Sequence, residues 1–298
     1  MRRRRDSFGL TAALALAASF AGAAAQESFS RGQNVSPVYE GWERHADGSF
    51  TLVFGYFNRN WEEELDVPVG PANGLAPGDA IDRGQPTHFL PRRNRFVFRI
   101  RVPADFGKQE LVWTLTTNGR TERAYASLKP DYFIDDTVIM ANFGAAGMGG
   151  ADASLKGNKP PSLNVVGEKS RTVKAGEAVP LIAVATDDGI PRPRAMPRLN
   201  PNFASRFTVD TATGLRVSWF VYRGAGRVEF DPVQTKVWED TRDGGGSPWS
   251  YGWRTPPAPP ENKWVAQATF RDPGTYVLRC LAHDGGLATS EDVTFIVK

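Results

Sequence analysis

Residues 272–282 read Asp272-Pro273-Gly274-Thr275-Tyr276-Val277-Leu278-Arg279-Cys280-Leu281-Ala282. Tyr276, Leu278, Cys280 and Ala282 fall on every second position, the period of a strand that buries one face. Pro273-Gly274 is a turn signal just before it. Asp272 and Tyr276 have the spacing at which a tyrosine near the start of a strand hydrogen-bonds the backbone a few residues upstream. Cys280 is the chain's only cysteine, so no internal disulfide forms. Its place in an alternating apolar run makes it a buried, inert thiol rather than a nucleophile.

Outward from this strand the same reading repeats. Leu163–Val165, Val179–Ala185, Leu215–Val221, Val228–Phe230, Ala266–Phe270 and Val293–Val297 are short apolar runs or alternations separated by turn residues. With Tyr276–Ala282 they make seven strands, the count of an immunoglobulin-like sandwich. Trp219 occupies the third strand, where such a fold packs a tryptophan at the core centre. Leu278 stands two residues after Tyr276, where an antibody domain places its second cysteine, so apolar contact replaces a disulfide there.

The series Leu215–Trp219, Gly224-Ala225-Gly226, Val228–Phe230, Ala268-Thr269-Phe270, Pro273–Arg279, Ala282-His283-Asp284-Gly285 and Asp292-Val293 resembles the PKD-like or REJ-like repeats of bacterial extracellular proteins. The resemblance covers residues 160–298 and implies an immunoglobulin-like sandwich, with no particular ligand. Two insertions, about 186–214 and 231–264, exceed the compact repeat. Strand order places both, with the 283–291 turn, at one end of the sandwich, as antibody binding loops are placed.

The first half also reads as strands. Phe50, Leu52, Phe54 and Tyr56 alternate; so do Phe96, Phe98, Ile100 and Val102 against Arg99 and Arg101; so do Leu111, Trp113 and Leu115, followed by Asn118-Gly119 and Thr121–Leu128. Val67–Gln85 reads as a long loop, and no sustained helical period appears. The expected organisation is all-β: a β-sandwich domain over 27–140, a Gly/Ala-rich linker over 141–158, and the immunoglobulin-like domain over 159–298.

Residues 1–25 carry Arg2–Arg5, then an Ala/Leu-rich run ending in Ala23-Ala24-Ala25, the layout of a cleaved secretory signal peptide. Removing them takes the formal charge from +3 to zero, leaving 32 residues of each sign. A neutral chain does not suit nucleic acid or anionic lipid. No second apolar run follows, so the mature chain is expected to lack a transmembrane segment and to work in the periplasm or outside the cell.

Catalytic motifs are absent: there is no His-Glu-x-x-His, Gly-x-Ser-x-Gly, P-loop or dinucleotide fingerprint. The expectation is a non-enzymatic binding or adhesion module acting on an extracellular protein or polysaccharide. One alternative is a hydrolase that uses His88 with acidic residues of the first half. Another is carbohydrate binding through the aromatic loop 238–264, whose Trp249, Tyr251 and Trp253 lie between flexible glycines and stiff prolines. No cofactor is required, but Asp187, Asp188, Asp284 and Asp292 beside glycine turns have the hard oxygens that calcium takes. Mass spectrometry of the exported protein is expected to find an N-terminus at Gln26; an intact Met1 in the membrane fraction would refute export with cleavage.

Overall fold

The structure, a computed structural model, describes residues 29–78, 80–145, 153–197 and 210–298. The signal-peptide reading therefore lies outside the described residues, as do 146–152 of the expected linker and 198–209 of the first insertion.

The strands in chain order are β1 (Val35–Arg44), β2 (Phe50–Asn58), β3 (Leu65–Asp66), β4 (Asn73–Ala76), β5 (His88–Phe89), β6 (Arg92–Val102), β7 (Leu111–Thr117) and β8 (Arg120–Ala126). A short helix, α1 (Asp136–Phe143), follows. Then come β9 (Ser162–Val165), β10 (Ser170–Val173), β11 (Ala178–Thr186), β12 (Arg216–Arg223), β13 (Val228–Asp231), β14 (Lys263–Phe270), β15 (Gly274–His283) and β16 (Ala288–Val297). The protein is all-β, built of two sandwiches.

In the first, the antiparallel sheet β1-β2-β6 faces the sheet β4-β7-β8. Phe54, Phe98 and Trp113 fill the space between them, Phe54 stacked on Phe98 at 5.1 Å and Trp113 edge-on to Phe98 at 4.9 Å. The buried Trp113 indole N–H donates to Asn73 Oδ1 at 2.9 Å, and Asn73 Nδ2 donates to the carbonyls of Val67 and Pro86. One amide thus anchors the interior of the expected 67–85 loop, and that loop contributes strand β4.

The second sandwich has sheet orders β13-β14-β11-β9 and β10-β16-β15-β12. These are the D-E-B-A and G-F-C orders of an immunoglobulin-like fold, with β10 added parallel to β16. Trp219, Leu278, Phe270 and Phe295 are buried in its core. The Tyr276 hydroxyl donates to the Asp272 carbonyl at 2.9 Å, the upstream bond that the 272–276 spacing predicts. Gly226, at φ 121°, closes the turn over that hydroxyl; a Cβ there would stand 2.5 Å from it, so the turn needs glycine. Cys280 is buried in the same core, and burial pushes its thiol pKa up.

The strand β1, the helix α1 and the short strands β3, β4, β5 and β10 were not expected. β1 is interrupted by Pro37 and by a bulge between Tyr39 and Gly41, which hide its alternation. α1 has a defined start and stop: Asp135 Oδ1 accepts from Val138 N at 2.9 Å, and Gly144, at φ 86°, is the left-handed cap. The Gly/Ala-rich stretch 141–158 therefore begins inside a helix. Trp219 is buried in a core cluster that draws residues from both sheets, so Trp219→Ala is expected to cost about 3–5 kcal/mol in a urea titration; a near-neutral result would remove it from the core.

Candidate functional site: a cleft at the junction of the two sandwiches

The junction starts from one glycine. Between the pairs Phe54–Phe98 and Tyr56–Asn94, the three residues Arg95, Phe96 and Val97 stand opposite the single Gly55. A Cβ on Gly55 would collide with the Glu40 carboxylate and the Asn94 carbonyl. In that space Glu40 forms a buried ion pair with Arg93 at 2.7 Å. The bulge turns Phe96 to φ 52°, a left-handed conformation that non-glycine residues rarely adopt, and aims its ring away from the first core. The expected alternation of Phe96 with Phe98, Ile100 and Val102 therefore fails at its first member. Phe96 instead meets Phe143 of α1 at 5.1 Å, in a cluster with Ile139, Met140, Trp249 and Leu287 drawn from both halves.

The outer face of sheet β10-β16-β15-β12 lies against this bulged strand. Arg279 of β15 sits 3.5 Å from the centre of the Tyr222 ring, donates to Asp292 at 2.7 and 2.9 Å, and donates across the junction to the Val97 carbonyl at 2.6 Å. Arg223 grips Asp82 at 2.9 and 2.7 Å and donates to the Gln85 carbonyl. Tyr222 donates its hydroxyl to the Gly84 carbonyl. Arg95 pairs with Glu239 at 2.5 Å. Of the other arginines of β6, Arg93, Arg99 and Arg101 pair with Glu40, Glu43 and Asp47 of the first half.

Above these contacts a cleft of about 380 Å³ remains open. Phe96, Phe143, Phe220, Leu281 and Leu287 supply apolar walls, while Arg99, Asp136 and Ser290 line its exposed edge. Burial, with Glu43 and Asp135 nearby, raises the Asp136 carboxyl above its ordinary range. Glu43, Asn94, Arg95, Arg279 and Thr289 also line it, and a concave space with apolar walls and fixed polar groups is suited to holding a ligand.

His88 borders the cleft, and its geometry is that of a fixed cation. Nδ1 is 2.7 Å from Asp66 Oδ1 and Nε2 is 2.9 Å from Glu64 Oε2. Burial opposes the charge, but the hydrogen bonds to the two carboxylates outweigh it and raise the pKa to about 9. Both nitrogens are occupied, so neither is free to take a proton from a substrate.

The two insertions and the 283–288 turn do meet at one end of the second sandwich: Ala212 N donates to the Pro248 carbonyl, Met196 N to the Trp253 carbonyl, and Gly214 N to the Asp284 carbonyl. That end is not free, because it packs on α1. Trp249 is only 3% exposed, inside the junction cluster, and its ring has no face for a ligand. Tyr251 and Trp253 are half-buried, with the Arg216 guanidinium 5.9 Å from the Trp253 ring. The expected aromatic platform is thereby corrected: its first ring packs inward, since an indole that large gains more from the apolar cluster than from solvent.

The four aspartates do not converge either. Asp292 pairs with Arg279; Asp187 and Asp188 accept from the Gly189 and Ile190 amides, as turn residues do; Asp284 is buried and accepts from the Gly286 and Leu287 amides. Among the described residues no group of three or more His, Cys, Asp or Glu could hold a metal ion. Burial raises the Asp284 carboxyl to about 6. The sequence reading missed Phe96, Tyr222 and Arg279 as junction residues; only Arg279, a charge on the outward face of an apolar strand, carried a signal.

No family model and no curated protein matches the chain. Among solved structures it is similar to a conjugative transposon lipoprotein from Bacteroides eggerthii (11% identity over 46% of this chain and 96% of that one, TM-score 0.25). It is also similar to an I-band fragment of titin (9%, 89% and 64%, TM-score 0.24) and to fibronectin(III)-like modules of Clostridium thermocellum CbhA (10%, 89% and 94%, TM-score 0.23). Likenesses this weak leave the fold to be read from the chain's own strand order.

His88 yields a pH dependence. Its folded pKa lies above the ordinary 6.5, so its charge stabilises the protein fully below about pH 6.5, and this is lost as pH rises through about 9. The loss is on the order of 3 kcal/mol. Urea titrations are expected to show wild type losing stability across this window and His88→Gln losing much less; parallel curves would refute the buried cation.

Proposed function

We propose that the chain is an exported, non-catalytic binding module whose ligand surface is the cleft between its sandwiches. The observation that carries this reading is the cleft itself, a concave space of about 380 Å³ whose walls come from both halves. The junction bonds of Arg279 and Arg223 fix those walls, so a ligand meets a preformed surface and little ordering cost is due on binding. The phenyl and leucyl walls suit an apolar group, such as a side chain of an exported partner protein, with its polar surroundings met by Arg99, Asp136 and Ser290. The PKD-like resemblance of residues 160–298 and the signal-peptide pattern support a site of action in the periplasm or outside the cell. Among the described residues no helix is long and apolar enough to cross a membrane.

The cleft can be blocked without touching either core. Ala288 lines it and is only half-buried, so Ala288→Trp fills the space from the rim. Fluorescence of the dye anilinonaphthalene sulfonate is expected to rise with the wild-type protein and to fall by most of that rise with the variant, while the melting temperature is unchanged. Equal dye binding by both would place any ligand elsewhere.

A further inference from the structure

Beneath the cleft, β12, β15 and the second insertion enclose a much smaller void. Arg216, Ser218, Lys236, Trp249 and His283 contribute its polar lining, and it admits the centre of a water-sized sphere over about 10 Å³. That is room for one water or one ion of similar size.

Three of those side chains hold a buried nitrogen with no hydrogen-bond partner in the protein: Arg216 Nη2, Trp249 Nε1 and His283 Nε2. The residues are 6%, 3% and 4% exposed. All three nitrogens are donors. Guanidinium and indole have no acceptor, and His283 Nδ1 accepts from the Gly285 amide at 2.8 Å, which assigns the ring proton to Nε2. Burial and the neighbouring Arg216 hold the His283 pKa well below its ordinary value, so the ring stays neutral.

Arg216 differs from the other cations near the void. Lys236 is bonded to Asp240 at 2.7 Å, and Asp240 also takes Arg242 at 2.8 Å. Arg216 has no such partner: its Nη1 donates to the Ala212 carbonyl at 3.1 Å, and Asp284 acts on it only through space. Arg242 also meets Glu62 at 3.6 Å, so of these three cations only Arg216 is in no ion pair. Buried N–H groups are ordinarily satisfied, so three unpartnered donors around one void, one of them on a guanidinium without an ion pair, call for an acceptor, best one with negative charge. A water fits poorly, because it accepts from only two of the three donors, and among the lining side chains only the Ser218 hydroxyl can accept from its own two hydrogens. A carboxylate or phosphate is too large.

We infer that the void is a binding site for a single halide-sized anion, chloride in ordinary surroundings, held by the Arg216 guanidinium, the Trp249 indole N–H and the His283 Nε2–H. The ion ties β12 and β15 to the second insertion, and so fixes the loop that packs on α1. The void shares Val237, Leu281 and His283 with the cleft lining, but an ion held here requires no ligand in the cleft, and the two stand or fall separately.

Crystals of the exported chain soaked in sodium bromide test the site directly: an anomalous peak is expected within about 3.5 Å of the three nitrogens. Melting in chloride against gluconate at matched ionic strength tests its contribution, with wild type expected to gain about 5 °C in chloride. Trp249→Phe keeps an aromatic ring in the cluster and removes one donor, and the chloride gain is expected to fall by more than half. Absence of the bromide peak overturns the proposal. So does a peak with no chloride gain in the melt, which marks an adventitious ion only, or a gain that Trp249→Phe leaves intact.

Discussion

Arg279 is the group on which the arrangement of the two sandwiches depends. Its guanidinium meets three different surfaces at once: the Tyr222 ring by stacking, the Asp292 carboxylate by two hydrogen bonds, and the Val97 carbonyl of the other half by a third. Only a planar cation with five donors can face an aromatic ring and still serve two acceptors in its own plane; a lysine ammonium would meet one of them. Burial opposes its charge, and Asp292 and Tyr222 more than compensate, raising its pKa above the ordinary arginine value. A cation buried so thoroughly is costly to expose, so parting the halves would strip it of several partners together.

The partner surface for Arg279 exists because Gly55 lets β6 bulge. The Glu40–Arg93 pair occupies the space a side chain on Gly55 would fill, and the bulge delivers both the Val97 carbonyl and the Phe96 ring to the junction. Phe96 holds Phe143, and Phe143 meets the His283 ring at 4.5 Å. One missing side chain thus links a distortion in the first sandwich to the loop end of the second. The left-handed conformation of Phe96 is kept because the surrounding contacts over-determine it, as is usual where backbone strain persists.

Much of this fold was legible in the sequence, and the limit was physical. Strands whose alternation served a single core were readable: Tyr276–Ala282, Leu111–Leu115 and the tyrosine bond to Asp272 all follow from local spacing. What failed was every residue whose burial depends on a distant partner. Phe96 looked like a core residue of its own strand, but its register is set by Glu40 on β1. Trp249, between glycines and prolines, looked exposed, but it is covered by α1 and Leu287. β1 was hidden by Pro37 and by the Tyr39–Gly41 bulge, which an edge strand tolerates. Composition recorded these side chains faithfully; it had no means of recording which surface would cover them.

The edges of the sheets explain why the halves meet where they do. β12 is the outermost strand of its sheet, and a long apolar edge strand invites pairing with another chain. Here the edge is covered from both sides. Gln234 of the second insertion accepts from the Trp219 amide at 3.0 Å, while Thr87, just before β5, donates its amide to the Tyr222 carbonyl at 3.3 Å and accepts from the Gly224 amide at 3.1 Å. The first sandwich and the long insertion therefore do for β12 what an extra strand does in larger immunoglobulin-like sheets. Covering the edge forces the outer face of the same sheet to lie against β6, and two convex sandwiches joined along an edge leave a concave gap beside it. The cleft is the geometric remainder of protecting that edge, which is why Phe220, two residues before Tyr222 on β12, stands in its lining.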